Sequence, residues 1–185
     1  RQRQMCIRDR LRNVETYRTL FPISENQLAV AYNYNENNQK KAKISILQIN
    51  NETKKIKEID SFEIEGGVVY SLAYFPNQQI YLVGYYGFYY NKIISYRNKK
   101  EISRTNISSV CHNIQPSPDG SFIAEIGLDL YYFPSVENLE NQLPWIKYVY
   151  SIRRSEQGYI FSGQGGDLVF YQNQNSEPQK IGKAE

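Results

Sequence analysis

The chain has 185 residues, with 22 Lys and Arg against 19 Asp and Glu, a net charge of +3 and an apolar fraction of 41%. That length suits one domain, and the apolar fraction suits a folded chain rather than a disordered, collagen-like or coiled-coil one. The longest nearly uninterrupted apolar stretch, residues 80–90, is about half of what a transmembrane helix needs.

The first ten residues, RQRQMCIRDR, differ in character from the rest of the chain. Residues 4–10 resemble translated sequencing adapter, so we expect residues 1–10 to be a non-native artefact that fold reasoning should exclude. Four arginines and one aspartate in this segment carry the whole charge excess, which leaves residues 11–185 with no net charge. The basic charge therefore does not indicate nucleic-acid binding. The alternative to an artefact at residues 1–10 is a genuine basic N-terminal arm.

Cysteine use bears on the cellular compartment. One of the two cysteines, Cys6, lies in the suspect segment, which leaves Cys111 without a disulfide partner. No secretory signal is visible, although a missing N-terminus would hide one. A reducing compartment fits these features, so the expected location is intracellular and cytoplasmic.

Strand patterns recur along the chain, whereas no segment of twelve residues shows helical periodicity with a cap. Residues 43–49 and 56–64 alternate between apolar and polar side chains, as a half-buried strand does. Short β-branched and aromatic runs follow, separated by turn residues such as Gly66-Gly67, Pro76-Asn77 and Pro118-Asp119-Gly120. Short strands with frequent turns predict an all-β domain.

The strands group into a unit that repeats four times. Each unit has an apolar strand, a turn, a second apolar strand, a third strand and a more polar segment. Equivalent positions at Leu28, Ile80, Phe122 and Tyr159 are 52, 42 and 37 residues apart, close to the period of a four-stranded propeller blade. The predicted units are residues 14–64, 65–105, 106–145 and 146–181, followed by a tail at 182–185. The first unit is looser, with a predicted polar insertion between residues 31 and 44.

The third unit carries a family resemblance. Ser-Ser-Val-Cys at residues 108–111, followed by Pro-Ser-Pro-Asp-Gly-Ser-Phe-Ile-Ala at residues 116–124, resembles the first half of a WD40 blade. The other units match only in outline, and no unit has the Gly-His or Trp-Asp dipeptides of that family. The Asp–His–Ser–Trp hydrogen-bond network of the family therefore does not carry over to this chain.

The resemblance implies about four four-stranded antiparallel blades of a β-propeller. Because propellers of this type usually close with seven blades, we expect the propeller to be incomplete and its remaining blades to lie outside this chain. Other propeller families remain open, and the alternative is a complete small domain such as a β-sandwich.

Catalytic candidates are few. Cys111 and His112 are adjacent, so on a strand their side chains point to opposite faces and cannot form a dyad. Asp119 belongs to a turn in which its side chain caps its own backbone, and Asp129 and Asp167 precede third strands. No His and Cys spacing suits a metal, so we expect no catalytic residues, metal or cofactor.

Tyrosine is the distinctive residue type, with 17 copies. Most are expected to pack between blades, but Tyr85 and Tyr86 are predicted to lie in a turn, where a rigid scaffold displays binding residues. In a propeller, the loops before first strands and between second and third strands form one rim. The residues predicted to bind a partner on this rim are Tyr85, Tyr86, Leu128, Lys147, Tyr148 and Gln164.

The predicted function is a non-catalytic scaffold that binds a protein or peptide, because aromatic anchors on a fixed rim suit that role. The alternative is a propeller enzyme or glycan-binding module, which requires acids such as Asp129 and Asp167 to converge on the central channel. A weaker alternative is RNA binding through lysine and arginine clusters at residues 40–43, 54–57, 97–100 and 153–154. The acidic residues near these clusters, and the zero net charge of residues 11–185, disfavour the binding of nucleic acid.

Overall fold

Four separate antiparallel sheets of four strands each make up the computed structural model. The model describes residues 14–36, 39–64, 67–87, 90–140, 144–147, 149–155, 158–163, 167–172 and 177–183, and contains no helix among them. The strands are β1 (Val14–Ser24), β2 (Gln27–Glu36), β3 (Gln39–Asn50), β4 (Lys55–Ile64), β5 (Val68–Phe75), β6 (Ile80–Tyr86), β7 (Asn91–Arg97), β8 (Lys100–Ile107), β9 (Cys111–Pro116), β10 (Phe122–Ile126), β11 (Asp129–Phe133), β12 (Pro144–Ile146), β13 (Val149–Ser155), β14 (Gly158–Gly163), β15 (Asp167–Tyr171) and β16 (Gln179–Lys183).

Each sheet is a meander whose strands follow one another in sequence order. Strands β1–β4 form blade 1, β5–β8 blade 2, β9–β12 blade 3 and β13–β16 blade 4. The first strands are innermost, because β1 lies against β5 and β5 against β9. The predicted all-β architecture of four-stranded antiparallel blades is confirmed.

Blade 1 differs from its prediction in one respect. The polar insertion expected between residues 31 and 44 is wrong, because β2 and β3 pair there without interruption from Gln27↔Gln48 to Glu36↔Gln39. The polar end of this hairpin is held by an ion pair between Lys41 and Glu36 at 2.5 Å. At the other end of the chain, β16 runs to Lys183, into the segment predicted to be a tail. Residues 1–10 lie outside the described residues.

Blades 1 and 2 meet through a core in which, from β2 to β4 of blade 1, side-chain size grows outward. On blade 1 the inner strand β2 contributes Ala29 and Ala31, whereas the outer strand β4 contributes Phe62. The ring centroid of Phe62 lies 5.6 Å from that of Tyr81 and 5.5 Å from that of Tyr96, both in blade 2. Because blades radiate from an axis, small residues near the axis and aromatic residues farther out fill the wedge between them.

A second core joins blades 2 and 3. Its centre is aromatic: Phe122 of blade 3 stacks on Phe133 at 4.5 Å and meets Phe75 of blade 2 edge-on at 6.0 Å. All three rings are buried. The segment after β11 extends this core, since Val136 and Leu139 also pack into it. A third core, which includes Ile123, Ile152 and Phe161, joins blades 3 and 4.

Buried hydrogen bonds fix how neighbouring blades are placed. The Asn33 side chain of blade 1 accepts a hydrogen bond from the Val69 backbone N–H at 3.0 Å, at the inner strand of blade 2. The hydroxyl of Ser95 in blade 2 donates to the Val136 carbonyl of blade 3 at 2.6 Å. The hydroxyls of Ser117 and Tyr159 join blades 3 and 4 at 3.0 Å. Directional bonds of this kind set the register that apolar packing alone leaves free.

Glycine at position 84 lets β6 of blade 2 approach β9, the inner strand of blade 3. A Cβ atom at Gly84 would lie 2.1 Å from the Ser71 hydroxyl oxygen and 2.9 Å from the Cβ of Cys111. Because Ser71 and Cys111 are both buried, neither can swing aside.

Replacement of Gly84 by alanine should therefore lower the free energy of unfolding by roughly 1–3 kcal/mol, the usual cost of overpacking. Gly182→Ala is the matched control, because its new Cβ would meet nothing closer than 3.7 Å. Urea unfolding of the two variants measures the difference. Equal stability of the two would show that the strands do not approach as closely as described.

Candidate functional site

The hairpin between β6 and β7 holds two of the residues predicted to bind a partner. Tyr85 and Tyr86 were expected in a turn, and that expectation is wrong because both belong to β6, paired with Val69 and Val68 respectively. Just beyond β6, the Gly87 N–H donates to the Tyr90 carbonyl at 2.9 Å. As neighbours on a strand, the two tyrosines point to opposite faces.

Tyr85 faces the core between blades 1 and 2 and is only 8% exposed. Its ring packs over Gly67 in the link between the blades, where a Cβ atom would lie 2.2 Å from the Tyr85 hydroxyl oxygen. Burial raises the pKa of its phenol. Tyr85 therefore acts by packing rather than as a displayed anchor, and glycine at position 67 is what makes room for it.

Tyr86 is 44% exposed and lies at the rim. Tyr70 meets its ring edge-on, with centroids 5.9 Å apart. Tyr90, across the turn, is 60% exposed, and the ammonium of Lys92 lies 5.5 Å from its ring centroid. Three aromatic residues and one cation thus share this corner of the rim. The sequence prediction missed the contribution of Tyr70, because only the pairing of β5 with β6 brings it to Tyr86. It also missed Lys92, which lies two residues beyond Tyr90 and reaches its ring.

The next corner of the rim is built around Leu128, which is 52% exposed in the turn between β10 and β11. Two backbone hydrogen bonds anchor this turn: Gly127 N–H donates to the Val110 carbonyl at 3.0 Å, and Val149 N–H donates to the Leu128 carbonyl at 2.6 Å. The second bond places Leu128 beside the link that carries Lys147, which is exposed. Tyr148 and Gln164 lie outside the described residues.

Several of the described cations considered for RNA binding are engaged by acids, among them Lys41, whose ion pair with Glu36 is described above. Ion pairs join Lys43 to Glu58 at 2.9 Å and Arg97 to Glu137 at 2.6 Å, and Lys99 to Asp60. The last two pairs connect neighbouring blades. A phosphate backbone would have to compete with these carboxylates, so the geometry does not favour the RNA alternative.

The catalytic candidates do not form a site. Cys111 is buried and His112 is exposed, as expected for neighbours on one strand. Burial raises the pKa of the Cys111 thiol to about 12. Asp119 accepts hydrogen bonds from the Ser121 backbone N–H at 3.0 Å and from the Ser121 hydroxyl at 2.7 Å, which confirms the predicted turn cap.

The propeller-enzyme alternative requires Asp129 and Asp167 to converge on the central channel, but neither lies on an innermost strand. Asp129 begins β11 and Asp167 begins β15, the third strands of their blades. Asp167 also pairs with Lys180 at 2.7 Å. Among the described residues no three His, Cys, Asp or Glu side chains cluster as metal ligands would. The same part of the chain contains no helix of the length and apolarity that crossing a membrane requires.

No protein-family model matches the sequence, and no curated protein matches it either. Solved structures do match. The β-propeller domain of Cps50 (Swd1) from Myceliophteria thermophila aligns with 93% of this chain and 59% of its own length, at 11% identity and a TM-score of 0.56. Sqt1 from Chaetomium thermophilum aligns with 87% of this chain and 45% of its own, at 11% identity and a TM-score of 0.57.

A third similar structure is the periplasmic gluconolactonase PpgL of Pseudomonas aeruginosa. It aligns with 90% of this chain and 56% of its own length, at 9% identity and a TM-score of 0.60. Identities this low establish the fold alone. The chain spans between 45% and 59% of these three structures and shares their β-propeller fold.

Because Cys111 is buried, its thiol should react slowly with alkylating reagents. With a pKa of about 12, only on the order of one thiol in ten thousand is ionised at pH 8, and the thiolate is the reactive form. In a Cys6→Ser background, iodoacetamide should alkylate Cys111 at least about a hundredfold more slowly in native buffer than in urea. Mass spectrometry of timed samples measures both rates. Equal rates would contradict the buried position of this residue.

Proposed function

We propose that the chain is a non-catalytic interaction scaffold that binds a protein or peptide partner on the rim formed by the loops before first strands and between second and third strands. One observation carries the proposal. Three large apolar or aromatic side chains are well exposed at one end of the blades: Tyr86 at the last position of β6, Tyr90 just before β7, and Leu128 in the turn between β10 and β11. Aromatic anchors beside cations are typical of protein-binding surfaces.

Rigid display is the mechanism. The turn that carries Leu128 is tied by its backbone to the links before β9 and β13, and the hairpin that carries Tyr86 and Tyr90 is closed by the bond from Gly87. Anchors held in this way lose little conformational entropy when a partner covers them. Lys92 and Lys147 lie beside the anchors and favour a partner that carries acidic residues.

A non-catalytic role is also supported by what the candidate groups do. The Cys111 thiol is kept protonated by burial, and Asp119 and Asp167 are engaged in a turn cap and an ion pair. The likeness to a gluconolactonase concerns the fold, and one fold hosts many activities. A protein partner and an intracellular location remain predictions for this chain.

Removal of the rim anchors should abolish partner binding and leave the fold intact. The double variant Tyr86→Ser/Leu128→Ser shortens two exposed side chains, so its thermal unfolding should match that of the parent chain. In quantitative capture from a cell extract, proteins retained by the parent should be lost from this variant. A purified partner should then bind it at least about tenfold more weakly, since anchor residues each contribute over 1 kcal/mol.

Ile59→Ser/Ile102→Ser is the matched control, because it removes two exposed side chains from the outer strands β4 and β8. This variant should retain the same proteins as the parent. If both double variants lose the same proteins, or neither loses any, the rim is not the binding surface.

A further inference from the structure

Blades 1 and 4 each have one sheet face that no described blade covers. Blade 1 packs on blade 2 with one face of its sheet, and blade 4 packs on blade 3 in the same way. The opposite face of each sheet contributes no residue to the three described cores. Because an apolar sheet face is stable only when it is covered, these two free faces are candidates for an interface.

The free face of blade 1 is apolar along its first three strands. Leu20 of β1 pairs with Val30 of β2, and Leu28 of β2 pairs with Leu47 of β3. The alanines that alternate with them on β2 face blade 2, so these four side chains point away from blade 2. Leu28 is half-buried, and Leu20, at 64%, is the most exposed large apolar residue in the described part of the chain.

The free face of blade 4 is also apolar. Ile160 of β14 pairs with Phe170 of β15, and Ser162 pairs with Leu168. These residues alternate with Phe161, which packs against blade 3, so they lie on the opposite face of the sheet. All four are half-buried. Blade 4 therefore presents three large apolar side chains on the face that points away from blade 3.

The repeat indicates that blades cover equivalent positions elsewhere in the chain. Phe122 of blade 3 and Tyr159 of blade 4 occupy the position of Leu28, and both are buried against the preceding blade. Ile123, one residue after Phe122, is fully buried against blade 4. Ile160 follows Tyr159 in the same way but is only half-buried. Each free face thus has the side chains of a contact between blades without the contact.

The outer part of the free face of blade 1 is polar, unlike the contact between blades 1 and 2. Phe62 of β4 fills that contact near its outer strand. Beside β4 on the free face, Lys43 pairs with Glu58 at 2.9 Å, and the Ser45 hydroxyl donates to the same carboxylate at 2.7 Å. An apolar centre with satisfied polar groups at its edge is typical of an interface between separate chains.

We propose that two copies of this chain associate head to tail, with blade 4 of each copy packed against blade 1 of the other. The chain spans 45–59% of the three similar propellers, so one copy leaves close to half of such a ring open. Two copies supply eight blades, which is within the range of closed propellers. Contacts between two different surfaces of identical chains form a ring when the rotation closes. The inference does not depend on the proposed rim function.

The mass of the full chain in solution is the first test. Light scattering during gel filtration, under reducing conditions and at about 50 µM, should give twice the mass of one chain, because interfaces of standard size have micromolar or tighter dissociation constants. The mass of a single chain would overturn the proposal and leave both free faces to blades of a longer chain. A series of increasing masses would also overturn it, since it would show a contact that does not close into a ring.

Acidic substitutions test which faces meet. Leu20→Asp on blade 1 and Phe170→Asp on blade 4 each place a carboxylate in both contacts of the dimer. Each variant should therefore raise the dimer dissociation constant at least about a hundredfold. Ile102→Asp is the matched control, because Ile102 is 41% exposed on β8, which belongs to neither free face. This control variant should remain a dimer.

A mixture of the two acidic variants tests the head-to-tail arrangement. A Leu20→Asp copy keeps its blade 4 face and a Phe170→Asp copy keeps its blade 1 face, so one of the two contacts between them is unaltered. At about 200 µM the mixture should form dimers, whereas each variant alone should stay monomeric. Misfolded variants would not restore each other in this way. A mixture that stays monomeric, or loss of the dimer in Ile102→Asp, would contradict the arrangement.

Discussion

The packing of one blade against the next is the constraint on which the rest of the structure depends. A single four-stranded sheet of this chain has an apolar face that water would solvate poorly, and only a neighbouring blade covers it. The alanines of β2, the isoleucines of β3 and Phe62 of β4 make that face a wedge. Gly84 allows the close approach of β6 to blade 3, and the buried hydrogen bond from Val69 to Asn33 joins blades 1 and 2 near their inner strands. The turns at the rim owe their positions to this arrangement.

Much of the architecture could be predicted from the sequence, because the signals for strands and turns are local. The alternation of apolar and polar residues in β4 and the β-branched run of β5 each indicate a strand within a few residues. The Ser-Pro-Asp-Gly sequence indicates a turn in the same local way. The polar ends of β2 and β3 escaped prediction because their polar residues do not alternate with apolar ones. Contacts made only in the fold support them: Glu36 bonds Lys41 across the hairpin, and Asn33 bonds Val69 in the next blade.

The candidate sites were harder to predict, since they depend on contacts between blades. Whether Tyr85 or Tyr86 faces solvent is decided by the strand pairing and by the space above Gly67, neither of which a sequence run encodes. Leu128 and Lys147, by contrast, lie in short connections between strands, and both are exposed. The repeat defines where such connections fall, so their positions are easier to predict, while their role in binding stays a prediction.

The central claim is that blades stabilise one another and do not fold as separate sheets. Hydrogen exchange of Ile44→Ala, compared with the parent chain, tests it most directly, because Ile44 is fully buried in the core between blades 1 and 2. Shortening the Ile44 side chain to alanine should lower the local stability by about 2–5 kcal/mol. In this variant, the protection of backbone amides from exchange should fall together in β3 of blade 1 and in β5 and β6 of blade 2. Loss of protection in blade 1 alone would contradict it.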